Sequence, residues 1–305
     1  VLVVDVSNSM GWSTENAGGS NDAARLPSEN QQDKLTDAMN AASSFAEILL
    51  GDNTEGDADN NTLSFVTFAG LDTDNAHTPQ TTTTRKKGDR IPNKTTETYM
   101  DSVMTVFTGV TSAEEAKKSF DGTRFYQKDL GVNEDNEETG SVYYYLNIAN
   151  TDGNTIVKGL NRGNTNYDYA FWQAEQAVNQ LQKSYDDYSQ SGRETVVVFM
   201  TDGAASHYND QRSNGNAVDY LPGTHTTYPG TDKYPGYSSN DVKNTWYQYM
   251  LNYDNNYATE LAESVSSFHA IGFDLAHGGF SNYQWTEDEL TAVLKDMLKD
   301  QALPV

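Results

Sequence analysis

The chain contains no cysteine, so it has no disulfide frame, no thiolate zinc site and no cysteine nucleophile. It is poor in positive charge: 20 Lys and Arg stand against 44 Asp and Glu, a formal net charge of −24. Such a surface repels nucleic acid and anionic membrane, which sets both aside as partners. It also lacks any run of 18 or more apolar residues, so no segment reads as a membrane-spanning helix. Hydrophobic residues are scarce for 305 positions, at 36%, and mean hydropathy is −0.71. That suffices for one good core and leaves much polar sequence for loops and excursions. No basic stretch followed by an apolar one opens the chain. Val1 leads directly into a strand-like run, as in a domain cut from a longer protein.

What is present has a regular alternation. Val1-Leu2-Val3-Val4 is continuously apolar and stops at Asp5, the pattern of a strand buried on both faces. From Asp33 to Leu50, the residues Leu35, Ala38, Ala42, Phe45, Ala46 and Leu49 recur at helical spacing, with Gly51 as the stop. Thr62 to Ala69 predicts a second strand, Asn164 to Gln182 a helix and Thr195 to Met200 another buried strand. Trp246 to Val265, Phe268 to Phe273 and Thr286 to Leu298 predict helix, strand and helix. Strands alternating with helices imply an α/β fold, doubly wound around a mainly parallel sheet, in one domain over 1–305. Two stretches, at about 70–160 and 205–243, weaken the pattern and read as insertions, the first concealing one core strand.

Three short motifs fall where core elements meet their loops. Asp5-Val6-Ser7-Asn8-Ser9 follows the first strand, Gly163-Asn164-Thr165-Asn166 precedes a helix, and Thr201-Asp202-Gly203 follows the later buried strand. In parallel α/β sheets, loops at the carboxyl ends of strands meet in one crevice. Asp5, Ser7, Ser9, Thr165 and Asp202 can therefore converge. They offer two carboxylates and three hydroxyls, a hard-oxygen set suited to Mg²⁺, Mn²⁺ or Ca²⁺ rather than Zn²⁺. Hydroxyl ligation leaves a dication short of negative charge, so it would seek a carboxylate from a partner. Taken singly, the serines could close a turn and Thr165 could cap a helix. Asp5 is harder to dismiss, because an acid that ends a buried apolar strand needs a partner.

In this order and on these elements, DVSNS, GNTN and TDG resemble the metal-ion-dependent adhesion site of von Willebrand factor A domains. That resemblance implies Ser7, Ser9 and Thr165 as direct ligands of a divalent cation, most plainly Mg²⁺. It implies Asp5 and Asp202 close by, holding the metal's waters, and one position left for a ligand's carboxylate. Large insertions on an acidic, cysteine-free chain further resemble the tip adhesins of Gram-positive pili. The expectation is a non-enzymatic module of a longer surface protein, outside the cell, that binds a protein or glycan ligand. Tyr143, Tyr144 and Tyr145 in the first insertion, and Tyr220, Tyr228, Tyr234 and Tyr237 in the second, read either as recognition surface or as packing within the insertions. Two alternatives compete. An Asp ending the first strand is similar to phosphoryl-transfer enzymes of the haloacid dehalogenase type, but those need a second acid where this chain has Ser7, and no glycine-rich phosphate loop occurs. An intracellular assembly module of the same A-domain class is the other.

Overall fold

The structure, a computed structural model, describes residues 1–16, 19–57, 60–70, 81–88, 95–161, 165–185, 188, 191–202, 207–210, 216–219 and 257–273. Among these, twelve strands and five helices follow one another as β1 (Leu2–Asp5), α1 (Asp22–Arg25), α2 (Lys34–Leu50), β2 (Leu63–Phe68), β3 (Thr81–Thr84), β4 (Thr95–Thr98), β5 (Met104–Val110), α3 (Ala113–Gly122), β6 (Arg124–Val132), β7 (Glu138–Ala149), β8 (Thr155–Leu160), α4 (Tyr167–Lys183), β9 (Val196–Thr201), β10 (His207–Asp210), β11 (Asn216–Asp219), α5 (Tyr257–Glu263) and β12 (Ser267–Gly272).

The main sheet has the order β12-β9-β1-β2-β5, with β1 at its centre. β1 runs parallel to β2 and β9, and β9 parallel to β12, while β5 is antiparallel on the β2 edge. The chain thus builds outward from β1 first on one side and later on the other. The α/β expectation is met as a mixed, mostly parallel sheet with helices. Burial of β1 on both faces explains its continuous apolar run, while β2 is as fully buried although it carries Ser64 and Thr67.

In-register partners in the parallel sheet share a face, which separates two cores. Leu2 and Val4 lie with Phe65 against α2 and α3, where Phe65 meets Phe120 at 5.0 Å and Phe107 at 5.7 Å. Val3, Asp5 and Phe68 face the other way, where Phe68, Phe199, Tyr167, Phe171 and Phe268 form a continuous aromatic cluster under α4. α2 starts at Asp33, whose Oδ1 accepts from Thr36 N at 2.9 Å. Its inner stripe is Leu35, Ala38, Met39, Ala42, Ala46 and Leu50. Phe45, expected inside, is 38% exposed, because the stripe is centred about one position away from the spacing read in sequence.

The first excursion is smaller than its expected bounds of about 70–160. Its hidden core strand is β5, and α3 packs with it against the main sheet, so 104–122 belongs to the core. The remainder is a β3-β4 hairpin and an antiparallel sheet of order β6-β7-β8. Of its tyrosines, Tyr144 is fully buried and Tyr145 is 6% exposed, so these two serve packing rather than an open surface. Tyr144 Oη accepts from Trp12 Nε1 at 2.9 Å, and its ring lies so close to Gly11 that a Cβ there would sit 2.5 Å from Cε1. Gly11 is therefore required for this close approach. The second excursion's tyrosines (Tyr220, Tyr228, Tyr234, Tyr237), most of the helix expected at 246–265 and all of that at 286–298 lie outside the described residues.

Because Tyr144 joins the small sheet to the loop after β1, Tyr144→Phe strips the indole N–H of a buried acceptor. Urea unfolding should show a loss of about 1–3 kcal/mol with an unchanged m-value. A loss below about 0.3 kcal/mol would show the bond to be dispensable.

Candidate metal centre

β1 ends in Asp5, 0% exposed, at the carboxyl edge of the sheet. Its Oδ1 accepts from Ser7 N at 2.8 Å, and its Oδ2 accepts from the hydroxyl of Thr201, the last residue of β9, at 2.8 Å. Thr201 in turn accepts from Tyr167 Oη at 3.2 Å. Burial holds the Tyr167 phenol well above its ordinary pKa, so it stays a donor. The chain then makes a single 3-10 turn over Asn8–Gly11, with Met10 N donating to Ser7 O and Trp12 N to Ser9 O. This turn folds the two serines toward each other: Ser7 Oγ and Ser9 Oγ are 3.1 Å apart. Ser9 Oγ donates to Asp202 Oδ1 at 2.8 Å, bridging the loops after β1 and β9.

Four of the five expected residues thus form one hydrogen-bonded group. The fifth, Thr165, is 6% exposed and precedes Asn166 and Tyr167. Asn166 N donates to Ala69 O just past β2, and Asn166 Oδ1 caps α4 by accepting from Tyr169 N at 3.0 Å. Thr165 therefore lies on a loop attached to the same carboxyl edge. Gly163, Asn164 and Gly203 of the motifs lie outside the described residues.

Three participants were not foreseen. Lys34 Nζ lies 3.0 Å from Asp202 Oδ2, with both side chains buried. A lysine opening an amphipathic helix reads as a surface residue, so nothing in the pattern marked it. Thr201 stood within the quoted TDG motif, but its bond to Asp5 depends on the pairing of β1 with β9. Asn161, just past β8, donates through Nδ2 to Val6 O at 2.7 Å and to Asn8 Oδ1 at 3.2 Å, holding the serine loop from the side of the small sheet. Its Oδ1 is buried with no hydrogen-bond partner among the described residues.

The donor set fits a hard dication. Two oxygen ligands at right angles, each about 2.1 Å from Mg²⁺, lie roughly 3.0 Å apart. The Ser7–Ser9 separation of 3.1 Å matches that edge. Among the described residues no group of three or more Asp, Glu, His or Cys side chains is placed to hold a metal. The electrostatics agree: Asp5 and Asp202 are both fully buried, and Lys34 is paired with Asp202. Burial, and next the charge of Asp202, push the Asp5 carboxyl up to about 7, against the opposing pull of its bonds from Ser7 and Thr201. No model of a known protein family matches the chain, and no curated protein is significantly similar to it.

Asp5 carries a pH signature of the metal-free fold. Its folded value of about 7 exceeds the ordinary 3.8, so between these limits the folded chain holds a proton that the unfolded chain has released. This contribution to stability is full below the ordinary value and is lost as pH rises through about 7. In EDTA, the urea midpoint should fall between about pH 5 and pH 8, and Asp5→Asn should flatten that slope. Parallel slopes for the two proteins would assign the dependence to other groups.

Proposed function

We propose that this chain is a metal-dependent adhesion module of the von Willebrand factor A type. In this reading it binds a carboxylate-bearing protein or glycan ligand at the surface of a cell. One observation carries the reading: Asp5, Ser7 and Ser9 of one loop and Asp202, distant in sequence, are hydrogen-bonded together at the carboxyl ends of adjacent parallel strands. That position, beside the point where the sheet switches its direction of growth, is where open α/β sheets take ligands.

Ser7, Ser9 and Thr165 would hold a divalent cation, Mg²⁺ before Mn²⁺ or Ca²⁺, with Asp5 and Asp202 behind them. When bound, the ion supplies an electrophilic position for a ligand's carboxylate oxygen. The protein's own part is to keep the oxygens aligned and dry. Thr201 and Ser7 N fix both oxygens of Asp5, and Asn161 clamps the loop carrying the serines. The acidic, cysteine-free composition and the two excursions fit a pilus-tip or cell-wall protein.

The haloacid dehalogenase alternative requires Asp5 as an exposed nucleophile. Its full burial, with both oxygens engaged, favours binding over phosphoryl transfer. Turnover of p-nitrophenyl phosphate with Mg²⁺, lost in Asp5→Asn, would reverse that preference.

Ser9→Ala and Thr165→Ala should weaken Mn²⁺ binding, measured by the electron paramagnetic resonance of the free ion, by about tenfold or more. Ser9→Ala should also lower the urea midpoint in EDTA, because it strips buried Asp202 Oδ1 of a donor, so affinity is compared on folded protein. On an array of matrix proteins and glycans, binding should vanish in EDTA and in Thr165→Ala; ligand bound equally by Thr165→Ala would refute the assignment. Asp202→Ala is a poorer probe, because it removes the buried carboxylate partner of Lys34. Such a loss costs about 3–5 kcal/mol of stability on its own.

A further inference from the structure

Positive charge is scarce in this chain, and it is unevenly spread. Residues 81–160 hold 10 of the 20 Lys and Arg but only 12 of the 44 Asp and Glu. That stretch is close to neutral, so the rest of the chain carries nearly all of the net charge of −24. Of the eight basic residues described there, Arg85, Lys86, Lys87, Lys117, Lys118 and Lys128 each lie within ion-pair distance of an acid. The other two are Arg124 of β6 and Lys158 of β8. Both are exposed, and neither forms an ion pair among the described residues.

The register of the small sheet brings these two cations together. Arg124 is opposite Asn147 across β6 and β7, and Asn147 is opposite Lys158 across β7 and β8. Antiparallel partners share a face, so Arg124 and Lys158 flank Asn147 on one side of the sheet, their backbones about 10 Å apart. Tyr144, three positions before Asn147 on β7, faces the other side and meets Trp12. Lys158 reaches across β7, and its Nζ lies 4.3 Å from the centroid of the Tyr126 ring, which is 40% exposed. The acids that act on the Tyr126 hydroxyl, Glu97 and Asp129, are both paired with Lys86. A guanidinium, an ammonium and a phenol thus gather on the side of the small sheet turned away from the Trp12 loop.

We propose that this face binds a short carboxylated oligosaccharide, in addition to the metal corner and without resting on it. Two unpaired cations on a chain this acidic select an anion. The form of the surface selects a sugar over a peptide. Extended peptides are commonly held by main-chain bonds to a strand edge. Both edges of the small sheet are met by the β3-β4 hairpin region, through the Lys86–Gly131 and Tyr99–Leu160 bridges. The face itself offers side chains alone. A uronic acid ring requires no more, since its carboxylate takes the Arg124 fork or the Lys158 ammonium and its apolar side lies against the Tyr126 phenol. The rest of the chain limits the length. Exposed charges act over roughly 8 Å at physiological ionic strength, and a long polyanion would run beyond them onto the acidic surface.

The test uses the whole chain, stripped of metal and returned to chelator-free buffer, so that the metal corner takes no part. Trigalacturonate is the probe, maltotriose its neutral counterpart, and end-blocked triglutamate a peptide of the same charge. Binding is read from backbone amide shifts in NMR titrations. Trigalacturonate should give saturable shifts centred on Arg124, Asn147 and Lys158, and maltotriose should give none. Arg124→Gln and Lys158→Gln should each weaken trigalacturonate binding by about two- to fivefold, with spectra otherwise unchanged because both positions are exposed. Lys117→Gln, which removes an ammonium already paired with Glu47, should leave it unaltered. Triglutamate bound as tightly as trigalacturonate would overturn the preference for a sugar, and maltotriose bound as tightly would overturn the role of charge. Wild type without saturable shifts would refute the site and leave the metal corner untouched.

Discussion

Two carboxylates buried close together at the carboxyl edge of one sheet set the terms for everything around them. Asp5 and Asp202 are each 0% exposed, at the carboxyl ends of neighbouring parallel strands, and their mutual repulsion is a cost that the fold has to offset locally. It does so with directed donors: Ser7 N and Thr201 Oγ1 on one acid, Ser9 Oγ and Lys34 Nζ on the other. Every oxygen of the pair thus has a donor, and these donors come from the loop after β1, the end of β9 and the start of α2.

Much of this arrangement was legible in the chain because burial on both faces leaves an unmistakable pattern. β1 and β9 are short apolar runs ended by a turn, and the residues at their carboxyl ends could be named without knowing the strand order. What was not legible depended on tertiary pairing. β5 is an edge strand, half-buried, antiparallel and with register shifts against β2, so neither a continuous run nor a clean alternation marks it. Lys34 carries no local signal, since its burial arises from the approach of Asp202 across 168 positions of sequence. Tyr144 and Tyr145 share an aromatic composition suited to a binding face as well as to a core, and only the docking of β7 against the Trp12 loop decides between them.

That docking changes how the first excursion relates to the site. Three independent contacts tie the small sheet to the residues that line the corner. Tyr144 holds Trp12, Asn161 holds Val6 and Asn8, and Lys128 holds the Asp33 cap of the helix that delivers Lys34. Each contact reaches a different wall: the ring next to the ammonium, the backbone of the serine loop and the start of α2. An excursion attached only by its two chain ends could sway without consequence for the oxygens between β1 and β9. Attached in this way, it is part of the wall, and displacement of the small sheet must move the serine loop, the buried ammonium or both. Geometry at the corner between β1 and β9 and the position of the small sheet beside it are therefore one mechanical unit.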